Sequence, residues 1–310
     1  MPPATDTRLL SKVATLYYSQ DLSQQEIATR LGLSRPKVSR LLQRARDLGI
    51  VQIIVHTRER DHSELEAALE GSFGLREAIV VGPPETEPPA VARHLGAVAA
   101  GYLARTLSDT DVVGLSWGRT VHALVSSVRP RTLPDARVVQ LIGGIGAPEA
   151  DAHASDVSRR LAQSLGCQLT LLPAPWLVSS PEVHAALLSD PYVNTAYGYF
   201  DQISLAFVGI GSIAGNPALD VEPGLVSELR AAGAVGDVAM RFFDLEGRPV
   251  HDPIAGRVLG VSSDELRAAG RVVGVGGGPG KRDAVLGALR SGMLDVLITD
   301  SATAASVAAA

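Results

Sequence analysis

Apolar residues in the first fifty positions recur at helical spacing in three short blocks. Leu9, Leu10, Val13, Leu16 and Tyr17 predict a helix over 7–19. Ile27 and Leu31 lie four apart on one face of a second helix. Ser23 is placed to cap it, and Glu26, three residues on, completes a capping box. Gly32 ends that helix. Ser34 stands where it can cap a third helix, with Pro36 tolerated in the first turn. Val38, Leu41, Leu42, Ala45 and Leu48 form the apolar stripe of this third helix. After Gly49 the stretch IVQIIVH reads as an extended strand of a small wing. Residues 58–74 carry Leu65, Leu69 and Phe73 every fourth position, a connecting helix whose stripe suits an interdomain contact or a dimer seam.

From Glu77 the period changes to apolar runs alternating with amphipathic helices. EAIVVG, DVVGLSWG, RVVQLIGG, CQLTLLP, ISLAFVGIG, VAMRFFD, RVVGVGGG and LDVLITD are the runs. Buried strands separated by helices predict an α/β body, a doubly wound and mostly parallel sheet with helices on both faces. The chain therefore divides into a helix–turn–helix unit at 1–56, a linker helix at 57–76 and a ligand-binding body at 77–310. Ligands of such sheets sit beyond the carboxyl ends of the strands. There the glycines gather: Gly114 and Gly118, Gly143 and Gly144, Gly209 and Gly211, and Gly276 to Gly280.

Charge sharpens the division. Residues 1–60 hold 10 Lys/Arg against 5 Asp/Glu, and the remainder 18 against 28. A basic head on an acidic body fits a nucleic-acid module joined to a domain that avoids DNA. Cys167 is the only cysteine, which excludes an intramolecular disulfide and a cysteine zinc site. The seven histidines show no metal-ligand spacing, and no cofactor is expected. With no run of about 18 apolar residues and no signal-type leader, a cytoplasmic protein with no membrane partner is expected.

The third helix leaves Arg35, Lys37, Ser39, Arg40 and Arg44 outside its stripe. A basic, polar face on the second helix of such a pair suits major-groove reading. Gln24, Gln25 and Ser34 join these five as candidate DNA contacts. Two other readings stand beside this one: a solvated helical hairpin, and a helix pair used only for protein contacts. A single recognition helix covers few base pairs, so a homodimer or homotetramer on a repeated double-stranded operator is expected.

Three glycine motifs in the body mimic catalytic ones. Gly114-Leu115-Ser116-Trp117-Gly118 matches a nucleophile elbow, yet no oxyanion loop or trailing histidine completes a triad: His153, His184 and His251 follow no late strand. A phosphate cradle completed by Arg119 and Thr120 is the better reading. Gly276 to Lys281 resembles a P-loop, but Val275 stands at the first glycine and Arg282 at the Ser/Thr. Lys281 still opens a helix after a glycine loop, a place for a cation facing an anion. Gly209 to Ala214 resembles a dinucleotide fingerprint, which Asn216-Pro217 interrupts. Asp237, and less so Asp244, are candidate acceptors for sugar hydroxyls.

Taken together, QQEIATRLGLSRPKVSRLL, GLSWGRT at 114–120, VVQLIGG at 138–144, VGIGS at 208–212, GD at 236–237 and GGPGKRDAVLGALRSGMLDVLITD at 277–300 resemble the SorC (DeoR-like) family of sugar-responsive bacterial transcriptional regulators. The resemblance spans nearly the whole chain. It implies a body like the glucosamine-phosphate deaminase and ribose-phosphate isomerase fold, used for sensing. It implies further that Ser116, Gly118, Arg119 and Thr120 hold the phosphate of a phosphorylated sugar effector, with Lys281 opposite. Gln140, Gly143, Gly211 and Asp237 would line the sugar. Ser204, where relatives often carry an acid, and HASD at 153–156, without an expected Asn, depart from the pattern. The alternative function is an isomerase- or deaminase-like enzyme carrying a DNA module; it needs a carboxylate–histidine set that the glycine loops do not offer.

Overall fold

The computed structural model describes residues 4–18, 20–48, 50–51, 62–82, 86–144, 154–219, 221–250 and 253–310. The chain forms two compact units, Met1–Glu59 and Arg60–Ala310.

The smaller unit holds α1 (Ala4–Tyr18), α2 (Gln24–Leu31) and α3 (Arg35–Asp47). Leu10, Val13, Leu16, Ile27, Val38, Leu42 and Ala45 are buried together as its core. The capping box forms: the Glu26 amide donates to Ser23 Oγ at 3.3 Å, and the Ser23 amide to Glu26 Oε2 at 2.8 Å. Gly32 ends α2 at φ +63°, a conformation that suits glycine. Two details differ from expectation. Ser34 occupies the N-cap of α3, but its hydroxyl makes no capping bond; its carbonyl alone accepts from Lys37 and Val38. Leu48 is 49% exposed, because it sits at the C-cap where the chain leaves the helical stripe. Ile50 and Val51 pack on the small core. Beyond them, the expected wing strand and the first residues of the connecting helix lie outside the described residues.

The larger unit opens with α4 (Ser63–Phe73), β1 (Glu77–Val81), α5 (Pro88–Thr106), β2 (Val112–Leu115), α6 (Arg119–Ser127) and β3 (Arg137–Gln140). It continues with α7 (Ala154–Leu165), β4 (Gln168–Thr170), α8 (Pro181–Leu188), α9 (Pro191–Tyr197), β5 (Leu205–Ser212), α10 (Leu225–Ala231), β6 (Gly236–Val238) and β7 (Arg241–Phe243). It closes with α11 (Ser263–Ala268), β8 (Val272–Val275), α12 (Arg282–Arg290), β9 (Val296–Asp300) and α13 (Ser301–Ala308). The sheet runs β1-β9-β8-β5-β2-β3-β4, all parallel, with β6 and β7 added antiparallel to β5. Val113, Leu115, Phe207, Val275 and Ile298 pack in one core layer, and Ala206, Val208 and Leu297 in the other. Helices α5 and α6 touch at Gly96, where a Cβ would come within 2.5 Å of the Ala123 methyl.

The winding reverses between β2 and β5. From β2 the chain steps outward to β3 and β4; from β5 it steps the other way to β8 and β9. In open α/β sheets such a reversal is where a ligand crevice lies, above the carboxyl ends of the two strands.

The structure decides one open reading and revises one expectation. Of the two readings of the connecting helix, its stripe takes the contact with the body: Leu69 is fully buried in the body's core, with Leu65 and Phe73 packed beside it. Its Glu70 and Glu66 carboxylates accept from the outward Ala78 and Val80 amides of edge strand β1, both at 2.9 Å, which closes that edge to further pairing. VAMRFF is not one strand but the hairpin β6–β7, because Ala239 and Met240 turn the chain at positive φ. Helix α13 is capped by Asp300, whose Oδ1 accepts from the Ala302 and Thr303 amides.

Both tryptophans, Trp117 and Trp176, belong to the larger unit, so their fluorescence reports its unfolding alone. Leu69→Ala is expected to lower that unit's stability by about 2–5 kcal/mol, with an unchanged urea slope. A loss below about 0.5 kcal/mol would mean that α4 is not part of this core.

Candidate functional site

In the smaller unit, Arg35, Lys37, Ser39, Arg40 and Arg44 all lie on the exposed side of α3. They are exposed because Val38, Leu41, Leu42 and Ala45 claim the other side. Ser34 and Gln25 are exposed as well, and Gln24 is half-buried at the start of α2. Arg40 Nε bends back toward the Pro36 carbonyl at 3.4 Å, and Arg46 is tied to Gln43 at 2.7 Å. The face is a row of cationic and hydroxyl donors along one helix, the chemistry that phosphates and base edges accept.

In the larger unit, the crevice between β2 and β5 brings together residues far apart in sequence. Ser116, just past β2, is buried, and its Oγ accepts from the Gly209 amide of β5 at 3.1 Å. Gly118 follows at φ +124°, a conformation that favours glycine, and lets α6 begin at Arg119. Thr120 Oγ1 donates to the Val275 carbonyl at the end of β8, 3.3 Å away. Lys281, at the N-cap of α12, reaches across to the Ile210 carbonyl at 2.7 Å.

Strand β5 is long enough to rise past the parallel sheet, and its upper half pairs with β6 so that Gly211 faces Asp237. A Cβ on Gly211 would stand 1.9 Å from Asp237 Oδ1, so only glycine leaves room for the carboxylate. Asp237 Oδ2 accepts from the Met240 amide at 3.1 Å, while Oδ1 is buried and has no partner. Burial pushes the Asp237 carboxyl up to about 6, against the pull of Lys281 and the Met240 amide. Burial likewise lowers the Lys281 ammonium; Asp237 opposes that shift and Arg119 adds to it. The site thus holds two ionisable groups of opposite sign, each disfavoured in its charged form by burial and each sustaining the other.

Of the residues singled out in the sequence, Ser116, Gly118, Thr120, Gly211, Asp237 and Lys281 line this crevice, with Arg119 exposed on its rim. Gln140 ends the next strand, β3, Gly143 lies just beyond it, and both already carry framework bonds. Gln140 Nε2 donates to the Ile142 carbonyl at 2.7 Å, and its Oε1 accepts from Ser155 at 3.3 Å. Gly143 runs against the Ala174–Pro175 backbone, where a Cβ would come within 2.5 Å. Asp244 is spent outside the crevice, holding Arg248 and its own turn. Sequence reasoning missed Asp300 and Thr303. The Gly278 amide donates to both side chains, at 2.6 and 3.1 Å, and this fixes the glycine loop that presents Lys281. The Asp at the end of LDVLITD, directly before a helix, was the available signal. Trp117, next to Ser116, also has a buried and unpartnered indole N–H.

The mimicked motifs resolve on geometry. A nucleophile elbow needs a strained, exposed serine, whereas Ser116 is 2% exposed and is not among the residues at positive φ. Gly209 and Gly211 lie inside a strand rather than in a turn that opens a helix. His184 is half-buried on α8; His153 and His251 fall outside the described residues. A cavity of about 290 Å³ lies on the other side of the glycine loop, lined by Val91, Pro279, Arg282, Ser301 and Ser306 among others. None of the candidate site residues lines it, and the side chains of its Asp300 and Thr303 are already partnered.

Residues 58–309 match the family described as "Putative sugar-binding domain", and residues 8–68 match a Crp-like helix-turn-helix domain. The chain is 34% identical over 301 residues to the deoxyribonucleoside regulator of Bacillus subtilis, covering 96% of each chain. It is 32% identical over 310 residues to the sorbitol operon regulator of Klebsiella pneumoniae, covering 98% of each. The crystal structure of the full-length sorbitol operon regulator SorC from Klebsiella pneumoniae superposes with a TM-score of 0.75 at 31% identity, covering 98% of this chain and 100% of that one.

The Asp237 carboxyl titrates at about 6 in the folded chain, above the 3.8 of an ordinary aspartate. The folded state therefore holds an extra proton between these values. The stability this group contributes falls as pH rises through that window, and its full penalty applies above about pH 6. Asp237→Asn removes the titration. Relative to the parent chain, the variant is expected to gain stability between about pH 4 and pH 7, by up to about 3 kcal/mol in urea unfolding. A difference that does not change with pH would contradict the burial of an ionisable Asp237.

Proposed function

The chain belongs to the SorC (DeoR-like) family of sugar-binding transcriptional regulators, and from that premise we propose that a phosphorylated sugar bound in the β2/β5 crevice controls how α3 engages a double-stranded DNA operator. The observation that carries this reading is the pairing of cationic and hydroxyl donors with one unpartnered acceptor in the same crevice. Gly118, Arg119 and Thr120 start a helix, whose free amides and dipole favour a phosphate. Lys281 adds a second cation and exchanges its bond to the Ile210 carbonyl for a charge-assisted one. Asp237 Oδ1 accepts from a sugar hydroxyl, which satisfies a buried oxygen that has no partner in the free chain. Arg35, Lys37, Ser39, Arg40 and Arg44 meet the DNA, with Ser34, Gln24 and Gln25 beside them. The regulator works in the cytoplasm as a homodimer or homotetramer, because one recognition helix reads too few base pairs for useful specificity.

We read the crevice as a sensor rather than a catalytic centre. Its one perturbed carboxylate faces Lys281 and Gly211, and among the described residues no histidine side chain hydrogen-bonds a carboxylate.

Lys281→Ala is expected to weaken binding of a sugar phosphate by roughly 10- to 100-fold, while leaving folding and effector-free DNA binding intact. Thermal shifts against glucose 6-phosphate, fructose 6-phosphate and ribose 5-phosphate provide the test. A ligand at about 100 times its Kd adds roughly 2.7 kcal/mol to the parent chain. Turnover of any of these compounds, or a variant with parental affinity, would overturn the reading.

For the DNA face, Arg40→Ala is expected to weaken operator binding. Base contact costs about 1–3 kcal/mol of discrimination; phosphate contact alone weakens all sequences equally and reduces the salt slope. Operator affinity unchanged in both the Arg35→Ala and Arg40→Ala proteins would remove α3 from the groove.

A further inference from the structure

The sharpest backbone anomaly in the larger unit lies beside Asp237. Ala239 and Met240 form the two-residue turn of β6–β7 at φ +52° and +58°. Successive positive φ angles define a hairpin turn that normally takes Asn-Gly, because a Cβ is disfavoured there. Here both positions carry side chains, and both are buried at 3–4% exposure within the apolar core. Strain of this kind persists only where the surroundings enforce it, and it concentrates at functional sites.

Three contacts enforce it. The Met240 amide, turned inward by the left-handed backbone, donates to Asp237 Oδ2 at 3.1 Å. Arg241, the next residue, is anchored to the carbonyls of Val261 and Gly260 at 2.8 and 2.9 Å. On the other side, Gly211 gives the carboxylate its space. With Oδ2 held by the turn, Oδ1 is left beside Gly211 as a buried acceptor without a partner.

We propose that Ala239 and Met240 are positioning residues for effector specificity: their strained turn aims Asp237 Oδ1 at a sugar hydroxyl. The inference rests on the crevice being the sugar-phosphate site. The core packing of the turn denies Asp237 any freedom to rotate, so the hydroxyl meets a fixed acceptor. A carboxylate fixed before binding favours a ligand that bears the matching hydroxyl over one that lacks it. The phosphate subsite, built from Gly118, Arg119, Thr120 and Lys281, shares no hydrogen bond with this turn; Lys281 feels it only through the charge of Asp237, which substitutions in the turn leave in place.

The test compares two substitutions at Ala239 in the full-length chain. Ala239→Gly keeps access to positive φ, whereas Ala239→Val resists it. Calorimetric titrations use inorganic phosphate and the tightest binder among glucose 6-phosphate, fructose 6-phosphate and ribose 5-phosphate. Ala239→Val is expected to cut the ratio of sugar-phosphate to phosphate affinity at least tenfold, with phosphate affinity unchanged. That unchanged affinity also verifies that the crevice is folded. Ala239→Gly is expected to retain the parental ratio within twofold. A parental ratio in the valine variant, an equal loss in the glycine variant, or a fall in both affinities together would overturn the positioning role. A parent chain that binds none of the sugar phosphates better than phosphate would instead refute the sugar-phosphate site itself.

Discussion

Where the winding of the sheet reverses, between β2 and β5, the two following connections lead to opposite sides of the sheet, the place where open α/β sheets take their ligands. This is a constraint of topology, and the chain meets it with backbone and small side chains. Ser116 Oγ takes the Gly209 amide, and Thr120 Oγ1 bonds the end of β8, so the rim is stitched across three strands without being filled. Glycine recurs there because bulk would close the crevice: a side chain at Gly211 would displace Asp237, and Gly118 adopts a backbone that favours glycine.

Into that gap the fold brings one acid and one base under the same burial penalty. Asp237 is raised toward neutrality and Lys281 is lowered, and each lessens the other's shift. A buried pair of this kind is weak evidence for stability, since desolvation offsets most of the attraction. Its value lies in what remains unsatisfied. Asp237 Oδ1 has no partner, and among the described residues Lys281 is held by the Ile210 carbonyl, which an anion can replace. The free crevice is polar, and it is incomplete in the way a binding site is.

Much of this was legible from residue patterns. The capping box at Ser23 and Glu26, the αL glycine at Gly32 and the stripe of α3 are local features, decided within a few residues. The parallel strands were legible because buried strands are continuous apolar runs, and the glycine loops marked their carboxyl ends. What escaped depends on contacts distant in sequence. VAMRFF reads as one strand because Ala-Met is not turn chemistry; only the Met240–Asp237 bond and the packing of both turn residues reveal the hairpin. The stripe of α4 was ambiguous for the same reason: Leu69 finds its partners in the body, and the edge amides that Glu66 and Glu70 accept from lie 14 and 8 residues away. Asp300 was overlooked because its partner, Gly278, lies 22 residues earlier, past the end of the neighbouring strand β8.

The central claim is that the phosphorylated sugar sits between β2 and β5 rather than in the neighbouring 290 Å³ cavity behind the glycine loop. Amide hydrogen exchange, with and without a saturating sugar phosphate, tests it directly. Added protection is expected only at the rim of the crevice, at Ser116 to Val121, Gly209 to Ser212 and the Lys281 turn. Protection centred on Val91 and Ser301 to Ser306, with the β2 and β5 ends unchanged, would contradict it.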